Sequence, residues 1–152
     1  MLNFNLEIKK IIMYSKKILL TLIYLLFPLI AFAQTSDAPE DAEAYIISPK
    51  DGETVSSSFT VQFGLKGMGV APAGVDVEGT GHHHILIDVE ELPDLTRPLP
   101  STDQVVHFGL GQTETELTLP PGEHTLQLVL GDFAHTPHRT PVISNKITIH
   151  VE

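Results

Sequence analysis

Cysteine and tryptophan are both missing from this 152-residue chain. Without cysteine there is no disulfide to staple a small core, no thiolate metal site and no thiol to carry a lipid. Any metal must be held by His, Asp, Glu or Met68, the one methionine beyond residue 33. Long apolar runs are scarce as well. Residues 18–30 form one run of 13, interrupted by Thr21 and Pro28, where a spanning helix needs about 20 apolar residues. Lys9, Lys10, Lys16 and Lys17 precede that run and Ala31-Phe32-Ala33 ends it. Basic, apolar and small residues in that order make a secretory signal. We therefore read residues 1–33 as a signal peptide cleaved after Ala33, with either Met1 or Met13 as the start, and expect a periplasmic or secreted product with no membrane span.

Positive charge is the next shortage. Residues 34–152 keep five of the nine basic residues and 18 of the 19 acidic ones, a formal balance of −13. A chain so acidic has no basic face for nucleic acid or an anionic membrane, and its field attracts cations. Gly-x-Ser-x-Gly, His-Glu-x-x-His and phosphate-loop motifs are absent too, which removes the commonest sequence signs of a hydrolase, zinc protease or nucleotide enzyme.

Residues 34–42 are acidic and almost free of large apolar groups, which predicts a disordered spacer. From residue 43 onward the apolar period is two. Phe59, Val61, Phe63 and Leu65 alternate with small or polar residues, as do Leu126, Leu128 and Leu130, and Ile147, Ile149 and Val151. Residues 45–47, 85–89, 105–108 and 113–119 supply four more candidate strands, and Pro, Gly and Asp clusters divide them. No helical period competes. Seven short strands in residues 43–152 predict an all-β domain, an antiparallel immunoglobulin-like β-sandwich.

What the chain does have is histidine, and all eight lie between residues 82 and 150. Gly79-Thr80-Gly81-His82-His83-His84 leads into the 85–89 strand, and Asp132, His135 and His138 follow the Leu126–Leu130 run. Neutral imidazole is the commonest side-chain ligand for a transition metal. The apolar phase assigns His83, Ile85, Ile87 and Val89 to the core, so His82 and His84 share the opposite face, roughly 6.6 Å apart along a strand. A register one residue off would exchange His83 with them. His135 and His138 flank Thr136-Pro137, where a tight turn brings both rings to one side. The expected ligand set is His82, His84, His135 and His138, holding a copper or zinc ion; His83, His107, Asp132 and Met68 are further candidates.

Each has a plainer reading. His83 suits a hydrogen-bonded residue at the core edge, and Met68 a gap-filling side chain. Asp132 after Gly131 suits a turn cap. His107 points off the core and joins the set only if its strand pairs beside that of His82 and His84. His124, in phase with Leu126 after Pro120-Pro121-Gly122, suits a corner residue that bonds back to the backbone, as a tyrosine does in immunoglobulin-like sandwiches. His150 is solvent-facing. Residues 67–81, with five glycines and no strand period, form a loop long enough to be functional, and we expect it to pack over the histidines.

The runs Ile47-Ser-Pro-Lys-Asp-Gly, Phe63-Gly-Leu-Lys-Gly-Met-Gly-Val-Ala-Pro-Ala-Gly, Thr80-Gly-His-His-His, His107-Phe-Gly, Gly111-Gln-Thr-Glu, Leu119-Pro-Pro-Gly-Glu-His-Thr-Leu-Gln-Leu and Gly131-Asp-Phe-Ala-His-Thr-Pro-His resemble a family of exported bacterial domains, domain of unknown function 4399. The resemblance implies a secreted single-domain protein without an established activity. It includes the histidines at 82, 83, 84, 107, 135 and 138 and leaves their ligand open. Three classes follow: a non-catalytic metal-binding envelope protein; an immunoglobulin-like module that contacts a protein or glycan partner; and a redox metalloenzyme similar in outline to copper–zinc superoxide dismutase, whose disulfide this chain lacks.

Overall fold

The computed structural model describes residues 36–152, and the signal-peptide assignment at residues 1–33 lies outside them. Among the described residues there are nine strands: β1 (Glu43–Ser48), β2 (Thr54–Val55), β3 (Ser58–Lys66), β4 (Gly69–Val70), β5 (Thr80–Ile87), β6 (Val105–His107), β7 (Glu114–Thr118), β8 (Gly122–Gly131) and β9 (Ile147–Val151). One sheet has the order β1-β3-β7, and the other runs β2-β9-β8-β5-β4 with β6 also paired to β5. The fold is all-β, as the period-two pattern requires.

Two details depart from the expected seven-stranded antiparallel arrangement. The additional strands, β2 and β4, are only two residues long and pair in parallel, with β9 and β5 respectively. They are too short to carry a period and arise from long-range hydrogen bonding.

The alternating positions of β3 and β8 meet between the sheets. Phe59, Val61 and Phe63 pack with Ile85, Ile87, Leu126, Leu128, Leu130 and Ile149 in one buried cluster, and Met68 fills its margin. Tyr45 lies over Gly64, its partner in the β1–β3 ladder, so a side chain at residue 64 would overlap the ring. The larger sheet is also covered on its outer face. Leu86 and Val129 pack there against Leu99 and Val105, with Leu95 and Ile143 at the edge. Both faces of β5 are therefore buried, which places His82 and His84 in a covered layer instead of a wet surface.

Residues 36–42 do not form the expected spacer. The Arg139 amide donates to the Ser36 carbonyl at 2.9 Å, Arg139 meets the Asp37 carboxylate at 3.2 Å, and Ala38 and Ala42 pack on the inner core. Composition does not reveal these contacts, because the bonds from Ser36 and Asp37 reach Arg139, about a hundred positions away.

Near the start of β8, His124 makes two bonds to acceptors. One ring nitrogen donates to the Pro120 carbonyl at 2.9 Å, and the other donates to the Asp88 carboxylate at 2.7 Å. Both partners only accept, so the two bonds favour the charged form of the ring, and the Asp88 bond is the main cause of its raised pKa.

Candidate metal centre

The site is built on β5. Its alternation sends His83, Ile85 and Ile87 into the inner core and His82, His84 and Leu86 to the outer face. On one side β5 pairs with β8, setting His82 opposite Gly131 and His84 opposite Val129. On the other side it pairs with β6, setting His84 opposite His107. In β6, Val106 joins the inner core and Val105 the outer cluster, so His107 shares the outer face with His82 and His84.

The fourth ring comes from the turn after β8. The Asp132 carboxylate accepts the amides of Ala134 at 2.8 Å and Thr136 at 3.0 Å, and the His135 amide donates to the Asp132 carbonyl at 2.9 Å. His135 has φ +67°, a left-handed conformation that few residues other than glycine adopt. Its carbonyl accepts the Leu99 amide at 2.9 Å, which holds the turn against the outer layer. Asp132 thus acts as the turn cap. Its second oxygen accepts the Ser36 hydroxyl at 3.3 Å.

Four imidazoles converge as a result. The His82 ring centroid is 4.9 Å from His84, 5.0 Å from His107 and 5.0 Å from His135, and the His107 and His135 centroids are 4.5 Å apart. His84 lies 5.1 Å from His107 and 6.1 Å from His135. One nitrogen each from His82, His107 and His135 lies within 4.8 Å of the other two. Around an ion with metal–nitrogen bonds of about 2.0–2.1 Å, tetrahedral geometry separates the nitrogens by about 3.4 Å.

The backbone leaves room for these rings where it carries no side chain. A Cβ on Gly131 would lie 2.8 Å from Cε1 of His84, and one on Gly109 would run into the His107 ring. The 67–81 loop braces the same region. Ala73 donates to the Gly109 carbonyl and Gly74 to the Phe133 carbonyl, each at 2.9 Å, tying the loop to the segments that bear His107 and His135.

The electrostatics favour neutral rings. Burial, followed by the neighbouring His107 and His135, pushes His82 down to about 4. Burial, followed by His82, His107 and His135, pushes His84 down to about 3. His107 is lowered by burial and by His135. At neutral pH these rings hold lone pairs, the form that binds metal. Among the described residues, both ring nitrogens of His82 and His84, and Nε2 of His107, are buried without a hydrogen-bond partner. Buried polar atoms without partners are rare in native proteins, and an ion or ordered water is a usual reason for them.

The structure brings together three members of the expected set, His82, His84 and His135, with His107 beside them. His138 is elsewhere. It is buried next to the start of β5, where its Nε2 donates to the Thr80 carbonyl at 3.3 Å, and burial lowers its pKa. The physical reason is the turn geometry: the left-handed backbone at His135 and the bridge between Gly131 and Pro137 separate two residues that a simple tight turn would keep on one side. His83 points into the inner core, its ring 5.2 Å from Phe63, and burial pushes it down to about 4. Met68 packs on the inner core and Asp132 holds the turn, so neither side chain stands among the four rings. The sign that could have promoted His107 was its strand phase combined with a β5–β6 pairing.

A family model described as domain of unknown function (DUF4399) matches residues 61–152. No curated protein matches. Among solved structures, an endo-beta-1,4-mannanase from Thermotoga petrophila is similar with a TM-score of 0.44 and 19% identity, over 74% of this chain and 20% of that one. The chain spans about a fifth of the length of that mannanase.

Proposed function

This chain belongs to the domain of unknown function 4399 family, and we propose that it is an exported protein whose outer-face histidines bind one copper or zinc ion. The observation that carries the reading is the convergence of His82, His84, His107 and His135 with buried ring nitrogens that have no hydrogen-bond partner among the described residues. Burying polar groups unsatisfied costs about 1–3 kcal/mol each. A bound cation would satisfy several at once. An all-nitrogen set suits Zn(II) or Cu(II), and the nearest candidate for a soft ligand, Met68, packs on the inner core away from the rings. Export is supported by the basic, apolar and small-residue order of residues 1–33.

The test is metal analysis and titration of residues 34–152, produced without a histidine tag. One tight equivalent of Cu(II) or Zn(II) is expected. It should be lost in the His82→Ala/His107→Ala double variant and retained in His138→Ala, with circular dichroism reporting that each variant is folded. An unaltered protein that binds no tight equivalent, or a double variant that binds as well as the parent, would refute the reading. The acidic surface alone attracts cations weakly, and the variants separate that effect from a site.

A further inference from the structure

The four rings are not equivalent. His82, His107 and His135 bring one nitrogen each into a common space, whereas His84 is near His82 and His107 but 6.1 Å from His135. His84 is also held in a tight place. Its residue lies mid-strand, paired with Val129 on one side and His107 on the other, it is 1% exposed, and its Cε1 occupies the space that a side chain at Gly131 would need. His107 and His135 are only partly buried, so the trio has a side that solvent reaches. Structural zinc sites close around four protein ligands, and sites that bind an exchangeable ligand use three and leave a place open.

Resting on the metal-binding reading above, we propose that the ion is held by His82, His107 and His135 and keeps one coordination position for a small exogenous donor, water or a small anion. His84 flanks that position as a hydrogen-bonding neighbour and not as a ligand. Both of its ring nitrogens are buried without a partner among the described residues, so a ring N–H turned toward the open position is a donor for a bound anion. The site is then one of exchange or reaction at the metal, and not a structural staple.

The probe is sodium azide, added to the unaltered protein loaded with one equivalent of Cu(II). Saturable growth of an azide-to-copper charge-transfer band is expected, with one azide per copper and the copper still bound. Pulsed electron paramagnetic resonance before azide should count three coordinated imidazoles. In His84→Ala the copper should stay bound and azide affinity should fall by about tenfold to a hundredfold, the size of one lost hydrogen bond to a charged ligand. A count of four imidazoles, or an unaltered protein that ignores azide while His84→Ala accepts it, makes His84 the fourth ligand and overturns the inference while leaving the metal site standing. Failure to take up one Cu(II) or Zn(II) removes the metal reading itself, and this inference with it. The wild-type measurements decide the matter even if His84→Ala does not fold.

Discussion

His84 and His107 face each other directly across the β5–β6 ladder, their ring centroids 5.1 Å apart. That pairing turns a three-residue strand into part of the site, because it carries His107 onto the face already occupied by His82. Side chains alternate with a period of two, so a slip of one residue in this ladder would send His107 into the inner core and Val106 onto the rings. The register is fixed by burial: Val106 belongs to the inner cluster and Val105 to the outer one.

Gly131→Ala tests how closely the rings are cradled. The added methyl would lie 2.8 Å from Cε1 of His84 and 3.3 Å from the His135 backbone. Both neighbours belong to buried or hydrogen-bonded structure and have little room to retreat. We expect a loss of about 1–3 kcal/mol in urea unfolding of the ion-free protein, together with weaker metal binding. A variant with unchanged affinity would mean that His84 and His135 adjust freely and that the observed ring packing does not set the site.

Asp132 distinguishes positioning from ligation. Its carboxylate accepts two turn amides, those of Ala134 and Thr136. Asp132→Ala should lower stability by about 1–2 kcal/mol, as loss of a capping oxygen does, and weaken metal binding by loosening His135. Asp132→Asn keeps an acceptor oxygen and should retain most of the affinity. Equal losses of metal in both variants, measured by titration, would show instead that the negative charge itself matters to the ion.

His83→Leu addresses the one member of the triple histidine run that faces inward. The ring packs against Phe63, and neither of its nitrogens has a hydrogen-bond partner among the described residues. Replacing an unsatisfied buried polar group by an apolar one of similar size is neutral or stabilising. The expected result is an unfolding free energy equal to that of the parent or about 1 kcal/mol higher, with metal binding intact. Loss of the metal equivalent in a folded His83→Leu protein would place His83 in the site and contradict the strand phase.

That phase was readable in advance because it is local. Ile85 and Ile87 mark the inward face of β5, and His83 follows them by spacing alone. The same logic located β3, β8 and β9. The outer layer was not readable, since Leu86 and Val129 are covered by Leu99 and Ile143, which lie on irregular segments without a period, and by Val105, whose strand partner has no sequence sign. The choice between His135 and His138 likewise depends on one positive φ and on a long-range bond from Leu99, neither of which has a sequence signature. His107 lay between these cases: its phase was legible and its strand partner was not.

Stability of the ion-free protein should fall on both sides of a maximum near pH 6.5. Burial holds folded His82 and His83 near about 4 and His84 near about 3, against about 6.5 in an unfolded chain. Below about pH 6.5 the unfolded state therefore binds more protons, so stability declines as pH drops and levels off only below the folded values. His124 works in the opposite sense. Its bond to Asp88 raises the folded pKa, so its contribution is complete below the unfolded value of about 6.5 and is lost as pH rises through the folded one. Urea midpoints measured from about pH 4 to about pH 9 should show both declines. His124→Gln, which cannot be charged, should flatten the alkaline side and leave the acid side unchanged. His83→Leu should do the reverse, reducing the acid slope by one proton's worth. A parent midpoint that climbs through pH 7–8, or an alkaline decline that persists in His124→Gln, would refute the assignment of His124 as an imidazolium paired with Asp88.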